Sequence, residues 1–187
     1  MTTRRNFLAG ALAAPALVSL SGPAFAIQGP PILTPQEVTI SSNYVANSIV
    51  ILPRAFFLYH VTAPGRAMRY GIAVARPGLG FTGNAVIARK VEWPSWRPTP
   101  DMIERDPAVY GKFKGNSDRM PGGPGNPLGA RALYLYQNGQ DTAIRIHGTT
   151  DPNSIGRNAS SGCFRMRNEN VIDLYDKVSI GTPVTVL

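Results

Sequence analysis

His147 and Cys163 are the residues whose types and spacing could do chemistry. Cys163 is the only cysteine in the chain and His147 one of two histidines, and they stand 16 residues apart in the run HGTTDPNSIGRNASSGCFRMRN. A thiol becomes a strong nucleophile when a neighbouring base takes its proton, and an imidazole pairing as an imidazolium suits that task. Gly162 permits a sharp turn in which its own N–H and that of Cys163 could face a developing oxyanion, each such donor being worth about 3 kcal/mol. Arg165, two residues past the thiol, favours thiolate and can hold a substrate carboxylate. His60 lies in an apolar strand-like run on the face of Leu58 and Phe56, so a structural role is expected there. One cysteine and two histidines in unrelated settings do not make a zinc cluster, and no metal or cofactor is expected.

The elements that must position this pair are short and mostly β. Tyr44 to Leu52, Arg54 to Val61, Ala67 to Ala75, Asn84 to Glu92, Ala132 to Gln137 and Thr142 to Ile146 are rich in branched and aromatic residues and bounded by turn signals. Asn138-Gly139-Gln140-Asp141 joins the last two as a hairpin. Alternation along the second strand sends Ile144 and Ile146 one way and Arg145 and His147 the other, delivering the imidazole at the strand end beside Gly148. Between residues 93 and 129, seven prolines and six glycines predict a long irregular loop, relieved by one short helix over Pro100 to Tyr110. Trp93 and Trp96 read as packing anchors for that loop. After the cysteine, Asn168 is placed to cap a helix carrying Val171, Leu174, Tyr175 and Val178, and Pro183 to Leu187 returns as a closing strand. The fold class is therefore mainly β, a sandwich or closed sheet with one short C-terminal helix and a long Pro/Gly-rich loop.

Residues 1–26 read as an export signal: Arg4 and Arg5, an apolar run from Phe7 to Leu20, then Ala24-Phe25-Ala26 as a cleavage site. The paired arginines resemble a twin-arginine signal, implying transport of a folded protein to the periplasm, with the general secretory route as the alternative. The apolar run is too short to span a bilayer, so no membrane span is expected after cleavage. Residues 27–43 read as a lead-in linker and 44–187 as one folded domain. In an exported chain a lone cysteine is an inert buried residue, an intermolecular link or a thiol kept for chemistry, and composition leaves all three open. The net charge of +8 falls to +6 without Arg4 and Arg5. Export argues against nucleic acid as a partner, and a basic surface suits an acidic envelope polymer, although solubility alone explains much of the charge.

His147-Gly148-Thr149, Ser154-Ile155-Gly156, Ser160-Ser161-Gly162-Cys163-Phe164-Arg165-Met166 and Asn168 together resemble the signature of L,D-transpeptidase catalytic domains, the YkuD family, in its ErfK-like branch. The likeness extends to Asn126-Pro127-Leu128-Gly129 and to Gly181-Thr182-Pro183-Val184. It implies an L,D-transpeptidase-type β-sandwich in which Cys163 attacks the stem tetrapeptide of peptidoglycan, D-alanine leaves, and an amine resolves the thioester. That amine would belong to another stem peptide, giving a 3-3 cross-link, or to a lipoprotein or protein lysine. The resemblance further implies His147 as acid/base, the Gly148 carbonyl as its orienting partner, the Gly162 N–H at the oxyanion, and Arg165, Ser161 and Asn168 beside the substrate. The family's commonest form has histidine where this chain has Ser161. Two other readings stay open: hydrolysis of the same acyl-enzyme, as an L,D-carboxypeptidase or a lipoprotein-releasing amidase, and a non-catalytic peptidoglycan-binding module.

Overall fold

In the computed structural model, which describes residues 33–187, the branched and aromatic runs pair into a nine-stranded sheet. In chain order the strands and helices are β1 (Gln36–Thr39), β2 (Ile49–Leu52), β3 (Phe57–Ala63), β4 (Arg66–Gly71), β5 (Val74–Ala75), β6 (Gly83–Glu92), α1 (Pro100–Arg105), α2 (Pro107–Tyr110), β7 (Arg131–Gln137), β8 (Gln140–His147), β9 (Asn158–Ser160), β10 (Phe164–Arg165), α3 (Asn168–Lys177) and β11 (Pro183–Val186). The expected signal and its cleavage site lie outside the described residues.

The sheet runs β1-β4-β3-β2-β11-β6-β7-β8-β10, with β5 and β9 forming a small parallel pair. Laid flat, the seven steps from β4 to β10 would separate those strands by roughly 34 Å. Instead Ala73, just past β4, exchanges both backbone hydrogen bonds with Arg165 of β10, at 2.9 Å each. The sheet thus curls shut around one core in which Ile49, Ile51, Leu58, Tyr70, Ile87, Leu133, Leu135 and Ile146 are fully buried. Closure brings the Cys163 turn against the segment after β4.

α3 packs on β7 and β8 through Val171 and Leu174, both fully buried. Lys90 on β6 holds its far end, donating to the carbonyls of Tyr175 and Val178 at 2.6 Å each. Arg167, not Asn168, is the N-cap, and no side chain caps this helix. The β7–β8 turn runs through Asn138 and Gly139, both at positive φ (52° and 78°), the conformation that matches the twist of a tight hairpin.

Some sequence expectations shift. β1 lies inside the expected linker: its four residues are mostly exposed, and they pair with β4 through the backbone and through the polar side-chain contacts Arg66–Glu37 and Arg69–Gln36, so hydrophobic patterning gave no sign of it. The stretch from Tyr44 to Ser48 is a turn, with Asn47 at φ 62°, and β2 begins at Ile49. The short helix of the 93–129 loop breaks at Pro107 into α1 and α2. Trp96 does anchor that loop, edge-on to Tyr110 and Phe113 with ring centroids 5.9 and 6.0 Å away. Trp93 is 45% exposed, and its backbone lies against Gly122 of the same loop. Arg97 and the buried Asn126 brace the rest. Arg97 donates to Asn116 Oδ1 and to the carbonyls of Asp118 and Phe113, and Asn126 donates to those of Met120 and Pro121. No helix among the described residues is long and apolar enough to cross a membrane.

Candidate active site

β10 pairs in parallel with β8, setting Phe164 opposite Ile146 and Arg165 opposite His147. That register brings the thiol turn beside the end of the histidine strand, and His147 and Cys163 line one cleft of about 430 Å³. Ser160, Ser161, Arg165, Arg145 and Arg76 share its wall, and the 93–129 loop closes the other side with Trp96, Met102, Tyr110 and Arg119. His60 is buried elsewhere, on β3 opposite Ile49.

His147 is 4% exposed, and its Nδ1 sits 2.6 Å from the Gly148 carbonyl oxygen. A carbonyl only accepts, so Nδ1 carries the proton and Nε2 keeps a lone pair. Burial pulls the imidazole down to about 4, the Arg165 and Arg145 charges add to that, and the Gly148 and Leu128 carbonyls oppose it. The half-buried thiol of Cys163 moves the other way, pushed above its ordinary 9.0 by burial, against the backbone N–H and guanidinium of Arg145 and the charge of Arg165. Burial thus favours the uncharged form of each group at rest.

A bulge in β8 shapes the thiol's surroundings. Between the pairs Tyr134–Arg145 and Tyr136–Asp141, three residues of β8 face the single residue Leu135. Thr142 Oγ1 donates to the Leu135 carbonyl at 2.7 Å and accepts from Ile144 N–H at 3.1 Å, while Ala143 takes a left-handed φ of 59°. The two extra residues leave the Ala143 carbonyl 3.8 Å from Cys163 Sγ as an acceptor for the thiol. Downstream of the bulge the alternation holds: Ile146 is in the core, and Arg145 and His147 face the cleft.

Two expected roles change. The Gly162 N–H is already donated, at 3.2 Å, to Ser160 Oγ, which itself donates to the Cys163 carbonyl at 2.5 Å. Of the two backbone donors expected at the oxyanion, only that of Cys163 is left. Gly162 matters sterically instead: at φ 139° an added Cβ would come 3.0 Å from Ile144 Cδ1. Asn168, expected to cap α3 and to bind substrate, is outside the cleft lining, and its Oδ1 accepts from the N–H groups of Ala130 and Thr149 at 3.1 and 3.2 Å. It staples the loop that carries Gly148. Ser161 and Arg165 do line the cleft.

Three residues went unassigned in the sequence. Arg145 is locked by a bidentate pair to Asp141, at 2.6 and 2.8 Å, and lies 4.1 Å above the Tyr134 ring; its parity with His147 was the available signal. Ser160 is 2% exposed and braces the turn as described. Arg76 contributes another guanidinium. Among the described residues no Asp or Glu lines the cleft, so the lining is positive and suits an anionic ligand.

Residues 46–186 match the family model of the L,D-transpeptidase catalytic domain, YkuD. The chain belongs to that family. An Escherichia coli relative described as a probable L,D-transpeptidase, ErfK/SrfK, is 30% identical over 85% of this chain and 49% of its own length. The chain spans about half the length of the first curated L,D-transpeptidases it matches. A Brucella melitensis crystal structure described as a probable carnitine operon oxidoreductase is 57% identical, with a TM-score of 0.57 over 84% of this chain and 95% of that one. An Enterococcus faecium L,D-transpeptidase structure shares the fold at 17% identity, with a TM-score of 0.54 over 76% of this chain and 50% of its own.

Proposed function

We propose that the chain is a periplasmic L,D-transpeptidase acting on the stem tetrapeptides of peptidoglycan, with Cys163 as nucleophile and His147 as acid and base. The observation that carries this reading is the cleft that holds the thiol together with an imidazole already fixed by the Gly148 carbonyl. The redox chemistry in the Brucella relative's name belongs to that protein. A thiol, a base and fixed positive charge around one cleft are a set for acyl transfer to or from a carboxylate-bearing peptide.

The steps start from the uncharged thiol and imidazole that burial favours. As Cys163 Sγ bonds to the carbonyl carbon before the terminal D-alanine, its proton passes to His147 Nε2, and the oxyanion takes the Cys163 N–H. The imidazolium, supported by the Gly148 and Leu128 carbonyls, gives that proton to the departing D-alanine amine, leaving a thioester. An acceptor amine then attacks, His147 takes its proton, and the thiol re-forms with a new amide made. The acceptor is another stem peptide or a protein lysine.

The test is incubation with a stem tetrapeptide followed by mass analysis of the products. Free D-alanine with a cross-linked dimer, both lost in Cys163→Ala, is the expected result. D-alanine with free tripeptide alone would make the enzyme a hydrolase, and no turnover by folded protein would overturn the reading.

A further inference from the structure

Arg76 lies beyond every motif that marked the site, yet the sheet closure delivers it to the thiol. β5 pairs with β9, and the Arg76 N–H donates to the Ser160 carbonyl at 3.0 Å, pinning its backbone beside the turn. The same short segment holds Arg165 through Ala73. Residues 73–76 therefore set a guanidinium on each side of Cys163 in sequence, one reaching Ser161 and the other belonging to Arg165.

The Arg76 side chain is exposed and lines the cleft. Its Nη2 donates to Ser161 Oγ at a long 3.5 Å, and among the described residues no carboxylate pairs with it. The contrast with its neighbours is informative. Arg145 is neutralised by Asp141 and Arg97 is spent on three loop acceptors. Arg76 keeps most of its five N–H donors and its whole charge free, at the edge of a cleft that no acid among the described residues lines.

We propose that Arg76 is a specificity-determining residue that binds a carboxylate of the peptide substrate on the Ser161 side of the thiol. A planar guanidinium fixed at its backbone and unpaired at its head is suited to bidentate carboxylate recognition, and the neutral Ser161 hydroxyl can serve as a third donor to the same group. This inference rests on the peptide-transferring function proposed above.

The test uses a matched pair of stem tetrapeptides, one with free side-chain carboxylates and one with them amidated. D-alanine release is measured for wild type, Arg76→Gln and Arg76→Lys. Binding of both peptides is measured by calorimetry in a Cys163→Ala background, with and without Arg76→Gln. Wild type is expected to favour the free-carboxylate peptide through KM and Kd. In Arg76→Gln that preference shrinks by about tenfold or more, as expected for one lost charge-assisted hydrogen-bond pair, and Arg76→Lys retains part of it. An altered fold would weaken both peptides together and leave the preference standing. An undiminished preference in Arg76→Gln overturns the proposal. A wild type that binds the peptides but releases no D-alanine overturns the transpeptidase reading instead, while the binding ratios still decide the role of Arg76.

Discussion

Replacing Asn168 with alanine should loosen His147 without touching it. Its Oδ1 is the shared acceptor for the backbone N–H groups of Ala130 and Thr149, residues that are 1% and 5% exposed, so water has little access to replace it. The packing is close: a Cβ added at Gly148 would stand 2.1 Å from this oxygen, and one at Gly129 2.2 Å. Leaving two buried donors unpaired costs about 1–3 kcal/mol each, or roughly 2–6 kcal/mol in all. In a domain of this size each kcal/mol lowers Tm by roughly 2–4 °C, so a fall on the order of 10 °C is expected. The freed loop carries the Gly148 carbonyl that holds His147 Nδ1, so acylation of Cys163 should slow by about tenfold or more, about 1.4 kcal/mol of barrier per factor of ten. Asn168→Asp keeps the acceptor and should recover most of both losses. The assays are urea unfolding and the single-turnover rate of acyl-enzyme formation. An Asn168→Ala protein within about 0.5 kcal/mol of wild type, the scatter of an ordinary surface change, and acylating at the wild-type rate would refute the reasoning.

Three further outcomes follow from the same geometry. Burial pulls His147 down to about 4 in the folded chain from an ordinary 6.5, so between those values the unfolded chain binds a proton that the folded one does not. Stability therefore falls as pH drops from 6.5 toward 4, by about 3 kcal/mol in all. His60, also lowered, adds in the same sense, and His147→Gln should remove its own share of the slope in urea midpoints. Ser160→Ala leaves the Gly162 N–H and the Cys163 carbonyl without their shared hydroxyl; stability should drop by roughly 2–4 kcal/mol, with slower acylation in single-turnover measurements. Gly162→Ala forces a Cβ at φ 139° to within 3.0 Å of Ile144 Cδ1; crystallography should find the turn displaced, and acylation should fall more than stability.

Much of this was legible in the sequence because strand parity is a strong constraint. The alternation Ile144, Arg145, Ile146, His147 correctly sent the imidazole into a cleft and the isoleucines toward the core, and Asn138-Gly139 marked the hairpin that starts the strand. What escaped were pairings that leave no apolar pattern and contacts that only the closed sheet brings together. β1 has one apolar residue among four, and β9 and β10 are three and two residues long, too short for any period to register. The β8 bulge was hidden because Thr142 and Ala143 look like ordinary strand residues until Thr142 Oγ1 is seen bridging Leu135 and Ile144. The Gly162 and Asn168 roles were misplaced for a related reason: composition shows that a donor or acceptor is present, and only the folded chain shows that Ser160, Ala130 and Thr149 already occupy it. Arg76 was invisible because its approach to Ser161 spans 85 residues and depends on closure of the sheet.

The central claim is that the Cys163 thiol takes an acyl group with His147 as its base. Acid-quenched intact-mass measurement of the protein mixed with a stem tetrapeptide tests it most directly. The expected result is a mass increase equal to the tripeptide acyl group, mapped to Cys163, slowed in His147→Gln and absent in Cys163→Ala. Folded wild-type protein that consumes the peptide with no adduct at Cys163, or at an undiminished rate after Cys163→Ala, would contradict it.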